Sequence, residues 1–376
     1  DKFYVKVANT QRALRDLAAW YKAQFDIPFV AVTGSVGKTT AKDMIASVLG
    51  VRYKVLKTEG NFNNNVGLPL TLLKLEKRHQ IAVLEMGMDK AGEIDYLAEI
   101  VKPDVGIITN IGDAHIERLG SRENIFKAKC ELLPHVKGNG LLVLNGDDEL
   151  LSTLRGHTTV PAVFYGKEEG LEYQAHITGG DSVSHILCRL TTPAMDREVR
   201  IPALGEHMIY PTLAATAVAE RFGLTADEIE QGLTQFVPTR MRMNVLRRGE
   251  GITILDDTYN ANPQSMAAAI HTLARSGRER TAAVLGDMGE LGALSPQAHY
   301  DMGMCCAREQ IDAVVAIGEK AKEIARGARE GGCENVQWFS DRAAALDTVL
   351  ALAGRDTAVL VKASHAMAFP QLVEQL

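Results

Sequence analysis

Cysteine is scarce in this chain, and what there is has no structural pattern. Cys130, Cys188, Cys305, Cys306 and Cys333 are odd in number and include no C-x-x-C pair. That excludes a disulfide framework or a zinc ribbon as the basis of the fold, and it implies reduced thiols in a cytoplasmic protein. Long apolar runs are missing too. None approaches the ~18–20 residues that span a bilayer, so membrane insertion is not expected. Nor is there an excess of basic charge. Lys and Arg number 41 against 47 Asp and Glu, a net charge of −6 with a pI near 6.0. This balance argues against nucleic acid or an anionic membrane as the partner. The sequence has no internal repeats and no low-complexity segment.

What remains is an unexceptional globular composition, 46% hydrophobic and 23% charged, over 376 residues. A chain of that length folds as two domains more often than one. Ala13, Leu14, Leu17, Ala18 and Tyr21 recur at helical spacing between Ala8 and Phe25, and Pro28 closes that helix. Beyond it, "FVAVTG" from Phe29, "IAVLEMG" from Ile81, "VGIITNIG" from Val105 and "GLLVLNGDD" from Gly140 read as buried strands alternating with helices. That is the pattern of a doubly wound, mostly parallel sheet. Residues 160–202 carry short β-prone pieces and turns, which predict an antiparallel hairpin insertion. After the helix "YPTLAATAVAERFGL", a turn around Pro238 marks the domain boundary. "GITILDD", "TAAVLGD", "AVVAIG" and "TAVLVKAS" then predict four strands of a second α/β domain. The expected fold is therefore α/β: residues 1–24 as a leading segment, a central domain over 25–237, and a Rossmann-like C-terminal domain over 238–376.

The most specific local signal is "TGSVGKTT", in which Gly34, Ser35, Val36, Gly37, Lys38, Thr39 and Thr40 lie between a predicted strand and a predicted helix. Backbone N–H groups at such a helix start, helped by the helix dipole, cradle phosphate oxygens. Lys38 can reach the outer phosphates, and the Thr39 hydroxyl suits Mg²⁺. The loop departs from the common G-x-x-x-x-G-K-[ST] form, because Val32 stands where its first glycine would be. A glycine-rich turn before an ordinary helix is the plainer alternative, and the strand and helix on either side favour phosphate binding.

A phosphate loop alone does not separate a kinase, a motor, a switch or a ligase. Glu85 ends "IAVLE" and should sit at the carboxyl edge of the sheet, where ligands bind and where its carboxylate can hold Mg²⁺ or simply face water. His115 follows "VGIITNIGDAH" at the same edge. In "SRENIFKAKCELLPHV", Ser121 is the expected N-cap, and Glu123, Lys127 and Glu131 at i, i+4 and i+8 predict an ion-pair ladder. Lys129 falls about 200° round the helix from Lys127, on the stripe of Ile125, Leu132 and Val136. A lysine there must snorkel, find a charged partner or lose its proton. A neutral amine could instead capture CO₂ as a carbamate able to serve a metal. Asn61, Asn63 and Asn64 in "GNFNNNVGLPLTLL" supply amides suited to a polar substrate, or make an asparagine-rich turn. In the second domain, "LDDTYNANPQSM" gathers Asp257, Tyr259, Asn260 and Asn262, and "LGDMGELG" carries Asp287 and Glu290. Helix caps would explain both; so would a cleft closing on nucleotide.

Together, "TGSVGKTT", "GNFNNNVGLPLTLL", "LEMGMDKAGEI", "TNIGDAHIERLGSRENIFKAKCELL", "DDTYNANPQSM" and "LGDMGELG", in that order, resemble the Mur ligases from about Lys2 to the C-terminus. The asparagine block, "YNANP" and "GDMGELG" favour the member that adds D-alanyl-D-alanine. The resemblance implies an ATP- and Mg²⁺-dependent amide ligase of peptidoglycan synthesis, expected as a monomer, acting on UDP-N-acetylmuramoyl-tripeptide and D-alanyl-D-alanine through an acyl phosphate. It implies that Lys38 binds phosphates, that Thr39 and Glu85 hold Mg²⁺, that His115 helps place a second Mg²⁺, and that Lys129 is carbamylated. Asn260 is implied near the adenine, with Arg242 and Asp287 near the phosphates or ribose. Three departures stand out: Val36 replaces an asparagine usual in the loop, Met208 and Pro211 stand where asparagines are common, and an N-terminal UDP-binding domain is expected but missing, with residues 1–24 as its exit segment. A tripeptide-forming or folylpolyglutamate-type relative, or a catalytically inactive nucleotide-binding module, remains open at this point.

Overall fold

The computed structural model describes residues 4–181, 183–248 and 251–376. Lys2, near which the family resemblance begins, lies outside the described residues. Nine strands form the first sheet: β1 (Phe29–Thr33), β2 (Val55–Lys57), β3 (Ile81–Glu85), β4 (Val105–Ile108), β5 (Leu141–Asn145), β6 (Ala162–Gly166), β7 (Tyr173–Asp181), β8 (His185–Thr191) and β9 (Asp196–Ile201). Their order is β2-β3-β1-β4-β5-β6-β7-β8-β9. Pairing is parallel from β2 through β7, and only β7-β8-β9 run antiparallel. Residues 160–202 are thus not a separate hairpin insertion. β6 continues the parallel sheet, and the antiparallel ribbon that follows extends the same sheet.

β1 shows why the central strands are so apolar. All five of its residues are buried. Val30 and Val32 pack into one core with the helices Lys38–Leu49 and Ile209–Arg221. Phe29 and Ala31 pack into a second core with the helix Glu93–Val101. A strand covered on both faces has no solvent side, so alternation is replaced by a continuous run, and each buried valine contributes about 1.5–3 kcal/mol of transfer free energy. The chain moves outward from β1 to β2, returns to β3, then crosses to β4 on the other side of β1. That reversal opens a crevice at the carboxyl end of β1.

The second sheet has six strands, β10 (Asn244–Arg248), β11 (Ile252–Asp256), β12 (Arg280–Gly286), β13 (Ala313–Ile317), β14 (Asn335–Phe339) and β15 (Thr357–Lys362), in the order β10-β11-β15-β12-β13-β14. β10 is antiparallel to β11, and the rest are parallel. The expected four strands correspond to β11, β12, β13 and β15. β10 and β14 are the additional edges. Helices cover both faces, forming two cores of their own. The two sheets are linked by the segment 236–243, in which Met241 and Met243 hold positive φ values of 61° and 53°.

Candidate active site

The chain leaves β1 through Gly34 at a φ of 146°, and a Cβ there would lie 1.9 Å from Thr109 Oγ1. Only glycine fits that approach. Gly37, at φ 81°, is the N-cap of the helix Lys38–Leu49 and offers no side chain to its first N–H groups. Those donors and the helix dipole are therefore turned toward an anion. The following strand ends clamp the loop. Asn110 Oδ1 accepts from Val36 N at 2.9 Å, while Asn110 Nδ2 and Thr109 Oγ1 donate to Val36 O at 3.0 and 2.6 Å. Gly112 N donates to Ser35 Oγ at 2.8 Å. Val36 takes part through its backbone alone in these bonds, which explains how valine serves where an asparagine is usual. Lys38 folds back onto the loop, donating to Gly34 O at 2.7 Å and Ser35 O at 3.3 Å. Burial holds its amine below the ordinary lysine range, against the opposing pull of Glu85.

Glu85 lies in register with Val32 of β1 and is 2% exposed. Asn63 Nδ2 donates to its Oε1 at 2.8 Å, whereas its buried Oε2 has no hydrogen-bond partner among the described residues. His115 adopts a left-handed backbone, φ 66°, ahead of the short helix Ile116–Leu119. Its Nδ1 lies 2.6 Å from Glu290 Oε2 and 3.6 Å from Asp89 Oδ1, without the alignment of a hydrogen bond. Burial lowers its pKa. Glu290 opposes that shift, and the charges of Lys38 and Lys129 add to it.

Lys129 is 1% exposed, and its neighbours Ile125 and Leu132 are fully buried. Burial pushes its pKa well below the usual lysine value, and the like charge of Lys38 adds to that shift. Burial and the neighbouring positive charge thus both disfavour the protonated amine. The expected ion-pair ladder beside it does not form. Glu131 accepts instead from Gly92 N and Asp95 N at 2.7 and 3.1 Å, capping the helix Glu93–Val101, because those orphan amides at the positive end of a helix outcompete a solvated lysine.

An orphaned carboxylate oxygen and a threonine hydroxyl at one sheet edge are oxygen donors that fit a hard divalent cation such as Mg²⁺, whereas the His115 imidazole is a softer donor, better suited to a water on such an ion than to the ion itself. Asp89, His115 and Glu290 also bring ligand atoms within 4.8 Å of one another. Arg118 Nη1, 2.9 Å from Asp89 Oδ2, already supplies positive charge there, so this trio reads as an ion-pair cluster.

A cleft of about 350 Å³ runs from the phosphate loop to the C-terminal domain, lined by Gly37, Thr40 and Asn110 on one side and Arg242, Asp257 and Lys362 on the other. The Arg242 guanidinium stacks 3.9 Å from the Tyr259 ring centroid, with Nη2 3.5 Å from Thr39 Oγ1. Lys362 pairs with Asp257 and donates to Asn260 O at 3.0 Å. Met208 and Pro211 join Tyr165 and Phe236 on the cleft wall, making that end apolar. Asn260 and Asp287 do not line the cleft. Asp287 Oδ1 accepts from Ala321 N at 2.7 Å, just ahead of the helix Lys322–Glu330. Asn64 Oδ1 accepts from Val66 N and Gly67 N at the start of the helix Gly67–Leu72, and Asn61 is exposed. Turn chemistry accounts for Asn64 and for Asp287. Sequence reasoning missed Thr109, Asn110, Asp257 as an ion-pair partner, and Lys362. For Lys362 a signal existed: a charged residue closes the apolar run "TAVLVK", as Glu85 closes "IAVLE".

The comparisons with known proteins agree with this geometry. The Mur ligase middle domain matches residues 32–219, and the Mur ligase, glutamate ligase domain matches residues 241–365. The chain belongs to the Mur ligases. A relative from Bacillus subtilis (strain 168), named UDP-N-acetylmuramoyl-tripeptide–D-alanyl-D-alanine ligase, is 37% identical over 99% of this chain and 80% of its own length. A crystal structure of MurF from Acinetobacter baumannii superposes with a TM-score of 0.91 at 35% identity, covering 99% of this chain and 81% of that one. The MurF ligase of Thermotoga maritima, solved in complex with ADP, gives 0.87 at 29% identity, covering 100% and 86%. No described helix is long and apolar enough to cross a membrane.

Proposed function

We propose that this Mur ligase joins D-alanyl-D-alanine to UDP-N-acetylmuramoyl-tripeptide at the expense of ATP, a cytoplasmic step of peptidoglycan synthesis. The similarity to ligases of that name over nearly the whole chain supports the substrates. The observation that carries the chemistry is the sheet edge itself, where a Glu85 oxygen has no hydrogen-bond partner among the described residues and a buried Lys129 lies within the field of Lys38.

Two anions, the γ-phosphate of ATP and the tripeptide carboxylate, must meet in line. Lys38 leaves Gly34 O and Ser35 O and pairs with phosphate oxygens, while the N–H groups after Gly37 hold the β-phosphate side. Arg242, already at Thr39, adds a second cation from the C-terminal domain. Thr39 and Glu85 would hold Mg²⁺, with His115 suited to a water on the ion, which when bound offsets the repulsion between the reacting anions. The carboxylate oxygen attacks the γ-phosphorus and ADP leaves. The dipeptide amine then attacks the acyl carbon, loses a proton, and inorganic phosphate departs. Lys129 acts as a carbamate: its lone pair attacks CO₂, an N–C bond forms as one C–O π bond opens, one proton is released, and a carboxylate stands in place of the buried amine. Water would destroy the acyl phosphate, so closure of the C-terminal domain protects as well as aligns.

A substrate panel scored by ADP release tests this reading. ADP should form only when ATP, the muramoyl tripeptide and D-alanyl-D-alanine are all present. Equal turnover with a folate acceptor and glutamate would overturn it.

A further inference from the structure

Glu290, in the loop that follows β12, is where the C-terminal domain touches the metal side of the central domain. Its carboxylate lies 2.6 Å from His115 Nδ1, and Glu117 N donates to its backbone O at 3.3 Å. Gly292 presses on the same helix, because a Cβ there would meet Glu117 Cγ at 3.3 Å. Ile116 packs against the core of each domain. Two backbones are docked here, which a chance pairing of long surface side chains would not produce. Both partners also hold left-handed backbone, φ 66° at His115 and 60° at Glu290. That conformation costs a non-glycine residue about 1–2 kcal/mol, so it persists only where the surroundings enforce it.

We propose that Glu290 is a positioning residue for His115, delivered by domain closure. An imidazole whose Nδ1–H faces a carboxylate is held in one tautomer, with its lone pair on Nε2. The Glu290 carboxylate stands within reach of Nδ1 without a hydrogen bond yet aligned on it, so a small turn of the ring completes the contact and leaves Nε2 for the phosphate site. Asp89 cannot substitute, since it stands 3.6 Å away and is engaged by Arg118 at 2.9 Å. Arg118 Nη2, 3.9 Å from Glu290 Oε1, steadies the carboxylate from the central-domain side. The site thereby becomes ready only when the C-terminal domain is closed over the nucleotide. What the oriented imidazole is used for rests on the ligase reading.

The test compares wild type with Glu290→Ala and Glu290→Gln, each first shown by thermal melting to be folded. The ¹⁵N spectrum of the His115 ring, recorded with ADP and Mg²⁺, should show one tautomer in wild type and tautomer exchange in both variants. In steady-state assays kcat should fall about tenfold or more, the Mg²⁺ concentration for half-activation should rise, and the KM for ATP should change little. Glu290→Asp should recover part of the loss. Unchanged His115 signals in the variants overturn the positioning role whether or not the protein makes an amide bond. A lower kcat with no shift in Mg²⁺ dependence reduces Glu290 to a structural contact and overturns it too.

Discussion

Lys129 sits where a lysine should not be, on the buried stripe of its helix and within the field of another lysine, Lys38. If the neutral amine is the precursor of a carbamate, Lys129→Ala should lower kcat by about 100-fold or more while leaving the fold intact. Added bicarbonate cannot restore a side chain that is gone, but a short carboxylate such as acetate should recover part of the turnover. Full activity in the alanine variant would remove the carbamate. Lys38→Ala removes the cation that the loop holds in place, and calorimetry should show ATP binding weakened on the order of 100-fold. His299 makes a prediction about pH. It is fully buried, its Nε2 accepts from Met288 N at 2.8 Å, and its Nδ1 lies 2.6 Å from Ser295 O, an arrangement only the neutral ring allows. Burial keeps its folded-state pKa below the ordinary 6.5, so below that pH the unfolded chain binds more protons. The stability His299 contributes is present above 6.5 and declines as pH falls. Urea midpoints should drop between about pH 7.5 and pH 5, and less steeply in His299→Gln. At this scale the sequence was legible wherever a charge interrupted an apolar pattern, as at Glu85 and Lys129. It was illegible where a polar residue acted through the backbone of another segment. Asn110 clamps Val36 across 74 positions of chain, and no local spacing reveals that.

Among the elements, the phosphate loop allows a contrast between two glycines. Gly34→Ala should abolish nucleotide binding and destabilise the protein by several kcal/mol, because its methyl would need the space of Thr109 Oγ1, 1.9 Å away. Gly37→Ala meets nothing within 4 Å and should cost only about 1 kcal/mol, for the left-handed backbone at φ 81°. Urea unfolding of the two variants separates them. The fully buried strands were readable because burial on both faces demands continuous apolar runs, as in β1, β3, β13 and β15. β2 is three residues long, β10 ends in two exposed arginines, and β14 has no fully buried residue. All three are edge strands, so half their surroundings are solvent and the hydrophobic pattern thins out. β6 was misjudged for a related reason. Its first two residues are only partly buried, so the sequence there resembles the ribbon that follows.

The whole molecule turns the carboxyl edge of the first sheet toward the carboxyl ends of β11, β12 and β15 in the second, where Asp257, Glu290 and Lys362 stand. The contacts across the gap include polar pairs, Arg242 at Thr39, Glu290 at His115 and Thr239 at Asp43, beside the apolar packing of Ile116. Such contacts suit a surface that opens and closes. That the chain carries two α/β sheets was legible from the two series of apolar runs. The composition of the cleft was not, because its walls come from Asn110, Tyr165, Pro211, Arg242 and Lys362, spread over most of the chain. The account stands on one chemical event at this junction, transfer of a phosphoryl group from ATP to the tripeptide carboxylate. The direct measurement is isotopic. With ¹⁸O in the terminal carboxylate of the muramoyl tripeptide, mass spectrometry of the products should find one labelled oxygen in each inorganic phosphate released. Unlabelled phosphate, formed alongside ADP and pentapeptide while the displaced ¹⁸O appears in water, would contradict it.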